Sequence, residues 1–399
     1  MGLIARLVVF IAVVSYSLHA KNNDDVLRHK TIVLGASNAQ SGPAKQLGVK
    51  LNTGSQIYFD RINKSGGIAG KKIELIALDD GYEPFKAVAN TQELLRKNQL
   101  FSFFNYVGTP TSHAAFPIVE NSNLPFLMPF TGADFLHAAD ANRVFNLRAS
   151  YFQESYAQVE YLVSDQKITK VGILIQADEF GLAVQKGYEK TLKAFGLSPV
   201  VVTRYRRNTD DIDLALELLI KHKVEAVAFV GTYLPMAELI NKADTLGFKP
   251  YFTTVSFISS QDLFSRIESK DAKVLVTEVV PNPQTCELAL CRQFTKDMKS
   301  AGHDYFDHVQ FEGYLNAYAF VEALKQCESA ITRSCILKEL QNFSLKAVDA
   351  NIERITTERV RLVNANSLDN AWSLVNGSND TNSNNPPPVF LHFYQQGKF

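Results

Sequence analysis

The sequence predicts an α/β protein built as two doubly wound parallel-sheet units in tandem. Three observations carry this. Short β-branched or apolar runs alternate with amphipathic helical runs from residue 31 to about 280, the βαβ rhythm of a parallel sheet covered by helices. The rhythm restarts after residue 150, so the pattern is doubled. The length, 399 residues, accommodates two such units.

The elements follow in order. "TIVLGAS" (31–37) predicts a strand. Leu47, Leu51, Gly54, Tyr58 and Ile62 then share a helical face, and Gly66 and Gly67 end that helix because glycine accepts the left-handed cap conformation. "KKIELIALDD" is the next strand, and Pro84 opens a helix where its missing N–H costs nothing. "LFSFFNYVG", "TSHAAFPIVENS" and "LPFLMPFTG" read as strand, helix and strand. After "RVFNLRAS" (143–150) a helix is expected over 151–166. Then come a strand at 170–178, a helix at 181–195, strands at 199–205 and 224–233 around a helix at 210–222, a helix to Leu246, and strands "PYFTTVSF" and "AKVLVTEVV". Residues 281–345 predict helices at 287–301, 308–326 and 331–342. The polar run 376–388 reads as a flexible loop, and "VFLHFY" (389–394) as a strand that returns to a sheet already built.

Apolar residues make up 46% and charged residues 21%, as in a globular chain with a substantial core. Lys plus Arg and Asp plus Glu both number 41, so the formal charge is zero, which argues against a nucleic-acid protein with a basic excess. Residues 1–20 read as a cleaved secretory signal: Arg6, an apolar run from Leu7 to Val14, then "SYSLHA" with Ala20 at the expected cut. The run is too short to span a membrane, and no cysteine at the cut offers a lipid anchor. The mature chain is expected to be soluble, periplasmic and monomeric. An even count of cysteines in an oxidising compartment suggests bridges, with Cys286–Cys291 and Cys327–Cys335 the simplest pairing and free buried thiols the alternative. The spacings are not CxxC and no nearby His pair completes a zinc set, so no metal is expected there.

In open parallel sheets, ligands bind beyond the carboxyl ends of the strands. Those places are Ala39–Gly42, Tyr106–Thr111, Phe130–Ala133, Asp178–Phe180, Gly231–Pro235 and Thr254–Phe257, loops rich in Gly, Ser, Thr and aromatics. Hydroxyls and free backbone N–H groups with aromatic walls suit a small neutral or zwitterionic ligand. The candidate contacts are Gln40, Tyr106, Thr109, Pro110, Thr131, Gly132, Phe180, Tyr233 and Ser256. Phe180 and Tyr233 read either as core or as cleft walls. Catalytic motifs are missing: "GASNAQSG" is neither GxGxxG nor a P-loop, and there is no GxSxG elbow. The eight His are scattered, and His113 in "TSHAA" reads as packing or capping. Asp79 and Asp80 are neighbours on a strand end, so they face opposite sides and cannot work as an acid/base pair; they frame the site or cap the helix at Pro84. Glu312 lies on a helix with Tyr314 and Tyr318, as a solvated face or a cleft contact. "KKIEL" and "RYRR" read as solvated edge charges.

"SGPAKQLG", "DRINKSGGIAGKKIELIALDDGYEPFKAV", "VGTPTSHAAFPIVENSNLPFLMPFTGA" and "ADEFG" resemble the type I periplasmic binding proteins of the leucine/isoleucine/valine-binding group, over about 31–345. "FNLRASYFQE", "VGTY" and "HVQFEGYLNAY" look closest to its branch of transporter substrate-binding proteins. The resemblance implies two lobes joined by three crossings, one of 30–146 and 281–345, the other of 147–280 and 346–399. It implies that Thr109 and Thr131 hold a ligand's carboxylate and ammonium through their loops, and that Phe180 and Tyr233 close over it. The chain departs from the amino-acid binders at Ser256, where they carry Glu, at Gly132, where they carry Thr, and at Leu47, where they carry an aromatic. A buried ammonium without its charge partner is costly, so these departures argue against a branched-chain amino acid. The implied function is capture of a small polar ligand, an amino acid or related compound, in an interlobe cleft and its delivery to an ABC permease, without catalysis and without a cofactor. The other readings are a sensor that signals to a membrane receptor kinase, and a hydrolase or transferase on a similar frame.

Overall fold

The computed structural model describes residues 29–97, 99–137, 143–343 and 389–394. The expected signal segment, 1–20, and the polar run 376–388 lie outside the described residues. So does most of the stretch 346–399 assigned to the second lobe.

The first sheet has the order β2-β1-β3-β4-β5, with β1 at Thr31–Asn38, β2 at Lys72–Asp79, β3 at Ser102–Phe104, β4 at Phe126–Leu127 and β5 at Val144–Phe145. All its pairs are parallel. β1 is buried along nearly its whole length, as a central parallel strand covered on both faces must be. The register pairs Asn38 with Asp79, so β1 and β2 end level. The stretch 124–132 forms a two-residue strand and, past a break, a single bridge from Phe130 to Val107. Pro125 and Pro129 lack the N–H that pairing needs, and Met128 has φ 55°, which ends the extended run.

The second sheet has the order β11-β10-β9-β8-β6-β7. Its strands are β6 (Val171–Gln176), β7 (Val201–Tyr205), β8 (Ala226–Val230), β9 (Tyr251–Thr254), β10 (Lys273–Glu278) and β11 (Phe390–Phe393). Only β11 runs antiparallel, pairing with β10 at the sheet edge; the chain's end therefore does close on a sheet formed earlier.

Helices cover both sheets: α1 (Lys45–Lys64), α2 (Pro84–Lys97), α3 (Thr109–Ser122), α4 (Tyr151–Glu160), α5 (Glu179–Ala194), α6 (Asp213–Lys221), α7 (Tyr233–Thr245), α8 (Ser260–Phe264), α9 (Ala289–Ser300), α10 (His308–Gln326) and α11 (Arg333–Gln341). α4 is shorter than the expected 151–166 because a π-helical turn over Tyr161–Asp165 takes up its last residues. α10 matches its expected span. It starts on a capping box, in which the Asp307 side chain accepts from the Gln310 N–H and the Gln310 side chain accepts from the Asp307 N–H. α10 lies unusually close to α1. A Cβ on Gly54 would meet the Gln310 carbonyl at 1.8 Å, and one on Gly313 would meet the Leu51 carbonyl at 2.0 Å. Two glycines thus let the backbones touch, and Ser55 Oγ donates to the Gly313 carbonyl at 2.6 Å. Gly54, which occupies the helical face with Leu47 and Leu51, works through its lack of a side chain.

Bridges join Cys286, ahead of α9, to Cys291 in its first turn, and Cys327, at the end of α10, to Cys335 in the first turn of α11. Among the described residues no helix is long and apolar enough to cross a membrane.

Candidate functional site

The carboxyl ends of the strands of both sheets meet. From the first sheet come the loops after β1, β2, β3 and β4. The Asp79 carboxylate Oδ1 accepts from the N–H groups of Gln40, Ser41 and Gly81 at 2.8, 3.1 and 2.9 Å, fixing the loop that carries Gln40. Burial alone would raise its pKa, but the Ser41 hydroxyl and these N–H donors lower it. Asp80 points to the other side, fully buried, and accepts from Ser37 Oγ and the Tyr82 N–H, both at 2.8 Å. Burial pushes its carboxyl up to about 7. The two acids are therefore framework groups with opposite titration behaviour, and they do not face one substrate.

Gly108, at φ 103°, leads into α3. A Cβ there would meet Tyr82 Cε2 at 2.4 Å, so the loop needs glycine to bring Thr109 and Pro110 against Tyr82. Thr109 Oγ1 and Thr131 Oγ1 are hydrogen-bonded at 2.8 Å, and the Tyr151 hydroxyl lies 3.4 and 3.2 Å from them. This buried triangle of three hydroxyls joins two strand-end loops to the start of α4. Burial raises the Tyr151 hydroxyl to about 12, so it stays a hydrogen-bonding phenol. A Cβ on Gly132 would meet the Ala149 carbonyl at 2.7 Å and the Tyr151 N at 2.8 Å. The residue is small because the crossing segment runs against it.

That crossing, 146–154, carries the charge. Arg148 is 1% exposed. Its Nη1 donates to both oxygens of Glu312 on α10, at 2.9 and 2.8 Å, and its Nη2 donates to Ser256 Oγ. The guanidinium carbon lies 3.9 Å from the centroid of the Phe130 ring, and Nε is buried without a partner. Burial opposes the Arg148 charge, but Glu312 and Glu154 hold it. Glu154 accepts from the Ser256 N–H at 2.7 Å, from Ser256 Oγ at 3.0 Å and from Thr277 Oγ1 at 2.7 Å. Burial raises both carboxyls, Glu312 to about 7. The position that holds Ser256 thus has a carboxylate beside it, supplied from α4. Glu312 is a buried ion-pair partner, and the solvated-face reading of it fails.

The second sheet adds the aromatic wall. Phe180, after β6, and Phe257, after β9, are 4.8 Å apart between ring centroids. Phe257 lies 5.7 Å from both Tyr82 and Phe130 of the first sheet, and Phe180 lies 5.4 Å from Tyr151. Ion pairs tie the rims. Lys50 of α1 pairs with Asp262 of α8 and with Asp307, the latter at 2.6 Å, while Arg207 after β7 pairs with Glu83 after β2 at 2.6 Å. "RYRR" is therefore not simply a solvated edge: Tyr205 is buried and Arg207 reaches the opposite sheet.

Of the sequence-chosen residues, the structure brings Thr109, Thr131, Phe180 and Ser256 to one cluster, with Gly132 behind it and Pro110 at the start of α3. Gln40 is half-buried at its loop, its Nε2 unpartnered. Tyr106 lies in the core between Phe103 and Phe126, its hydroxyl 2.9 Å from Thr91 Oγ1. Tyr233 lies in the separate core of α6, α7 and α8, its ring beside Arg266 at 4.9 Å. Sequence reasoning placed Phe130 and Phe257 in the strand-end loops without choosing them as contacts, and it missed Tyr82, Arg148, Tyr151 and Glu154. The Ser-x-x-Gln spacing at Ser150 and Gln153 marks the start of α4 and was the available signal for the last turn of the crossing.

The pattern of the periplasmic binding protein family matches residues 31–366. The chain is 28% identical over 218 residues to the Leu/Ile/Val-binding protein BraC3 of Rhizobium johnstonii, an alignment covering 54% of this chain and 58% of that protein, less than two thirds of its length. It is 23% identical over 250 residues to the Leu/Ile/Val-binding protein of Citrobacter freundii, covering 62% of this chain and 68% of that protein. Among solved structures, a possible leucine/isoleucine/valine-binding protein from Rhodopirellula baltica SH 1 superposes with a TM-score of 0.74 at 32% identity, covering 79% of this chain and 87% of that one. With two α/β sheets whose strand ends meet around one polar and aromatic cluster, this chain belongs to the type I periplasmic binding proteins, in the leucine/isoleucine/valine-binding family.

Proposed function

We propose that this protein is an exported solute-binding protein. It captures a small polar ligand, an amino acid or related compound, between the strand ends of its two sheets and passes it to an ABC permease in the inner membrane. The observation that carries this reading is the contact of Phe257 from the second sheet with Tyr82 and Phe130 from the first, beside the Thr109–Thr131–Tyr151 hydroxyls. A ligand held there touches both sheets. Its binding free energy therefore favours the closed arrangement over the open one and shifts the population toward closure. The chemistry suits a bifunctional guest. Hydroxyls and loop N–H groups donate to a carboxylate, the Arg148 charge lies close by, and the carboxylates of Glu154 and Glu312 are within the same cluster for an ammonium or amide. Glu154 answers the charge deficit that Ser256 alone would leave, so an α-amino group regains a place among the candidates. These groups are hydrogen-bonded and ion-paired to one another, which favours a binding role.

A thermal-shift screen of amino acids, amides, small aromatic acids and nucleobases tests this, because a ligand that binds only the folded chain raises the melting temperature. Thr131→Val is expected to weaken a hit by about 1–3 kcal/mol, through the lost hydroxyl in a buried polar cluster. Calorimetry showing unchanged affinity would remove Thr131 from the site, and recovery of a chemically altered ligand would overturn the binding role itself.

A further inference from the structure

Away from the aromatic wall, three side chains that ligate metals converge from three elements. Glu278 ends β10, His308 opens α10, and His392 lies in β11, the returning edge strand. One donor atom from each lies within 4.8 Å of the other two. The Glu278 Oε1 is 3.6 Å from His308 Nδ1 and 3.9 Å from His392 Nδ1. Both separations are too long for hydrogen bonds, and Glu278 Oε1 and His392 Nδ1 are buried atoms without a hydrogen-bond partner. The Glu278 side chain is only 5% exposed, and an orphaned carboxylate oxygen at such depth is costly. The Ser260 hydroxyl, also buried, faces the same carboxylate without a hydrogen bond of ordinary length.

These separations are what a metal ion needs. Bonds of about 2.0–2.2 Å from a tetrahedral zinc to imidazole nitrogen and carboxylate oxygen set neighbouring donors about 3.4 Å apart. The two carboxylate–imidazole separations exceed this by about 0.2 and 0.5 Å, and rotation of the side chains, whose donors all lie within 4.8 Å of one another, closes the set. Two imidazoles with one carboxylate suit zinc-like transition ions, whereas calcium and magnesium prefer oxygen donors. The two imidazole rings are 5.0 Å apart between centroids. The His392 side chain is 30% exposed, which opens a path for entry and a place for water as a further ligand. We propose that Glu278, His308 and His392 form a binding site for a zinc-class divalent ion, which pins β11 to the end of β10 and to the start of α10. Because α10 packs on α1 while β10 and β11 belong to the second sheet, the ion ties the terminal strand to both halves of the molecule.

The test uses the full mature chain, stripped with chelator and titrated with cobalt(II) alone, then with zinc(II). The expected result is a cobalt ligand-field absorption that saturates at equimolar metal and is displaced by zinc, with a rise in melting temperature on adding either ion. His392→Ala on the edge strand and the isosteric Glu278→Gln should each abolish the band and the metal-dependent rise. His222→Ala, on an exposed helix end, should change neither. Metal-free melting curves of the variants report whether each still folds, and Glu278→Gln decides the matter if His392→Ala does not. No band at equimolar cobalt, or a band that persists in the ligand variants, overturns the proposal and leaves an ordinary buried carboxylate–histidine cluster.

Discussion

The cluster between the two sheets is assembled from two kinds of region with different chemistry. The loops beyond the strand ends, at Tyr82, Thr109, Thr131, Phe180 and Phe257, supply shape: rings, hydroxyls and backbone N–H groups. The crossing at 146–154 supplies charge. Its Arg148 and Glu154, together with Glu312 from α10, make a buried ionic cluster that holds the loops in place through Ser256, Thr277 and Phe130. Walls of the first kind tolerate change, because each ring or hydroxyl contributes modestly. A buried ion cluster does not, because losing one partner strands the others in a low-dielectric interior.

The largest expected effect follows from that asymmetry. Arg148→Met should cost about 3–5 kcal/mol of folding stability, the range for breaking a buried pair, measured by denaturant unfolding. The loss should be greater at pH 8 than at pH 5. Burial already raises the Glu312 carboxyl to about 7, and losing Arg148 raises it further, so an acidic medium lets Glu312 take a proton and escape as a neutral group. The double variant Arg148→Met/Glu312→Leu should regain much of the loss, since an apolar pair can replace a buried ionic one. A single-variant cost below about 1 kcal/mol, as for surface pairs, would break the contrast between crossing and loops.

The second effect lies within the loops and separates two aromatics that the sequence treats alike. Both Phe180 and Tyr233 open helices after strands of the second sheet. Phe180 joins Tyr151 and Phe257 in the cluster between the sheets, whereas Tyr233 packs among α6, α7 and α8 beside Arg266. For any ligand found by screening, Phe180→Ala should weaken binding by about 1.5–3 kcal/mol through lost apolar contact, and Tyr233→Ala by less than about 0.5 kcal/mol, as for a site without shared partners. Calorimetry giving the reverse order would move the ligand toward α7.

These two cases also mark what could be read from the sequence. Strand periodicity and glycine placement give both sheets, and the rule that ligands sit at strand ends picks out Thr109, Thr131, Phe180 and Ser256, which the fold gathers in one cluster, because that rule depends on topology alone. It cannot rank neighbours on one edge, so Tyr106 and Tyr233 entered with the others although their rings turn to cores. It is also blind to the crossing. The partners of Arg148 and Glu154 lie 164 and 102 residues away, and no local pattern distinguishes an arginine in "FNLRAS" that will be buried from one that will be solvated. Glycine at 132 looks like a departure from a threonine until the backbone of Ala149 is seen against it.

The smallest effect concerns the acids that end β2, and it sharpens the comparison because both belong to a loop frame and yet they titrate oppositely. Asp80 is raised to about 7 by burial, while a carboxyl of the unfolded chain titrates near pH 3.9. Between those values the folded chain binds a proton that the unfolded chain has lost, so the contribution of Asp80 to stability falls as pH rises from about 4 to about 7. Asp79, lowered by its hydrogen bonds, acts the other way: its contribution is present above the unfolded value and fades as pH drops. Asp80→Asn keeps a neutral group where the folded chain favours one. Its oxygen can still accept from the Tyr82 N–H, and Ser37 Oγ can turn to accept from its amide. A net change of about 1 kcal/mol or less at neutral pH is therefore expected, and the informative quantity is the slope. Unfolding free energies measured at steps between pH 4 and 7 should decline less steeply in the variant than in the wild type. Parallel slopes would mean that Asp80 is ionised in the folded chain throughout, and that its two donors outweigh its burial.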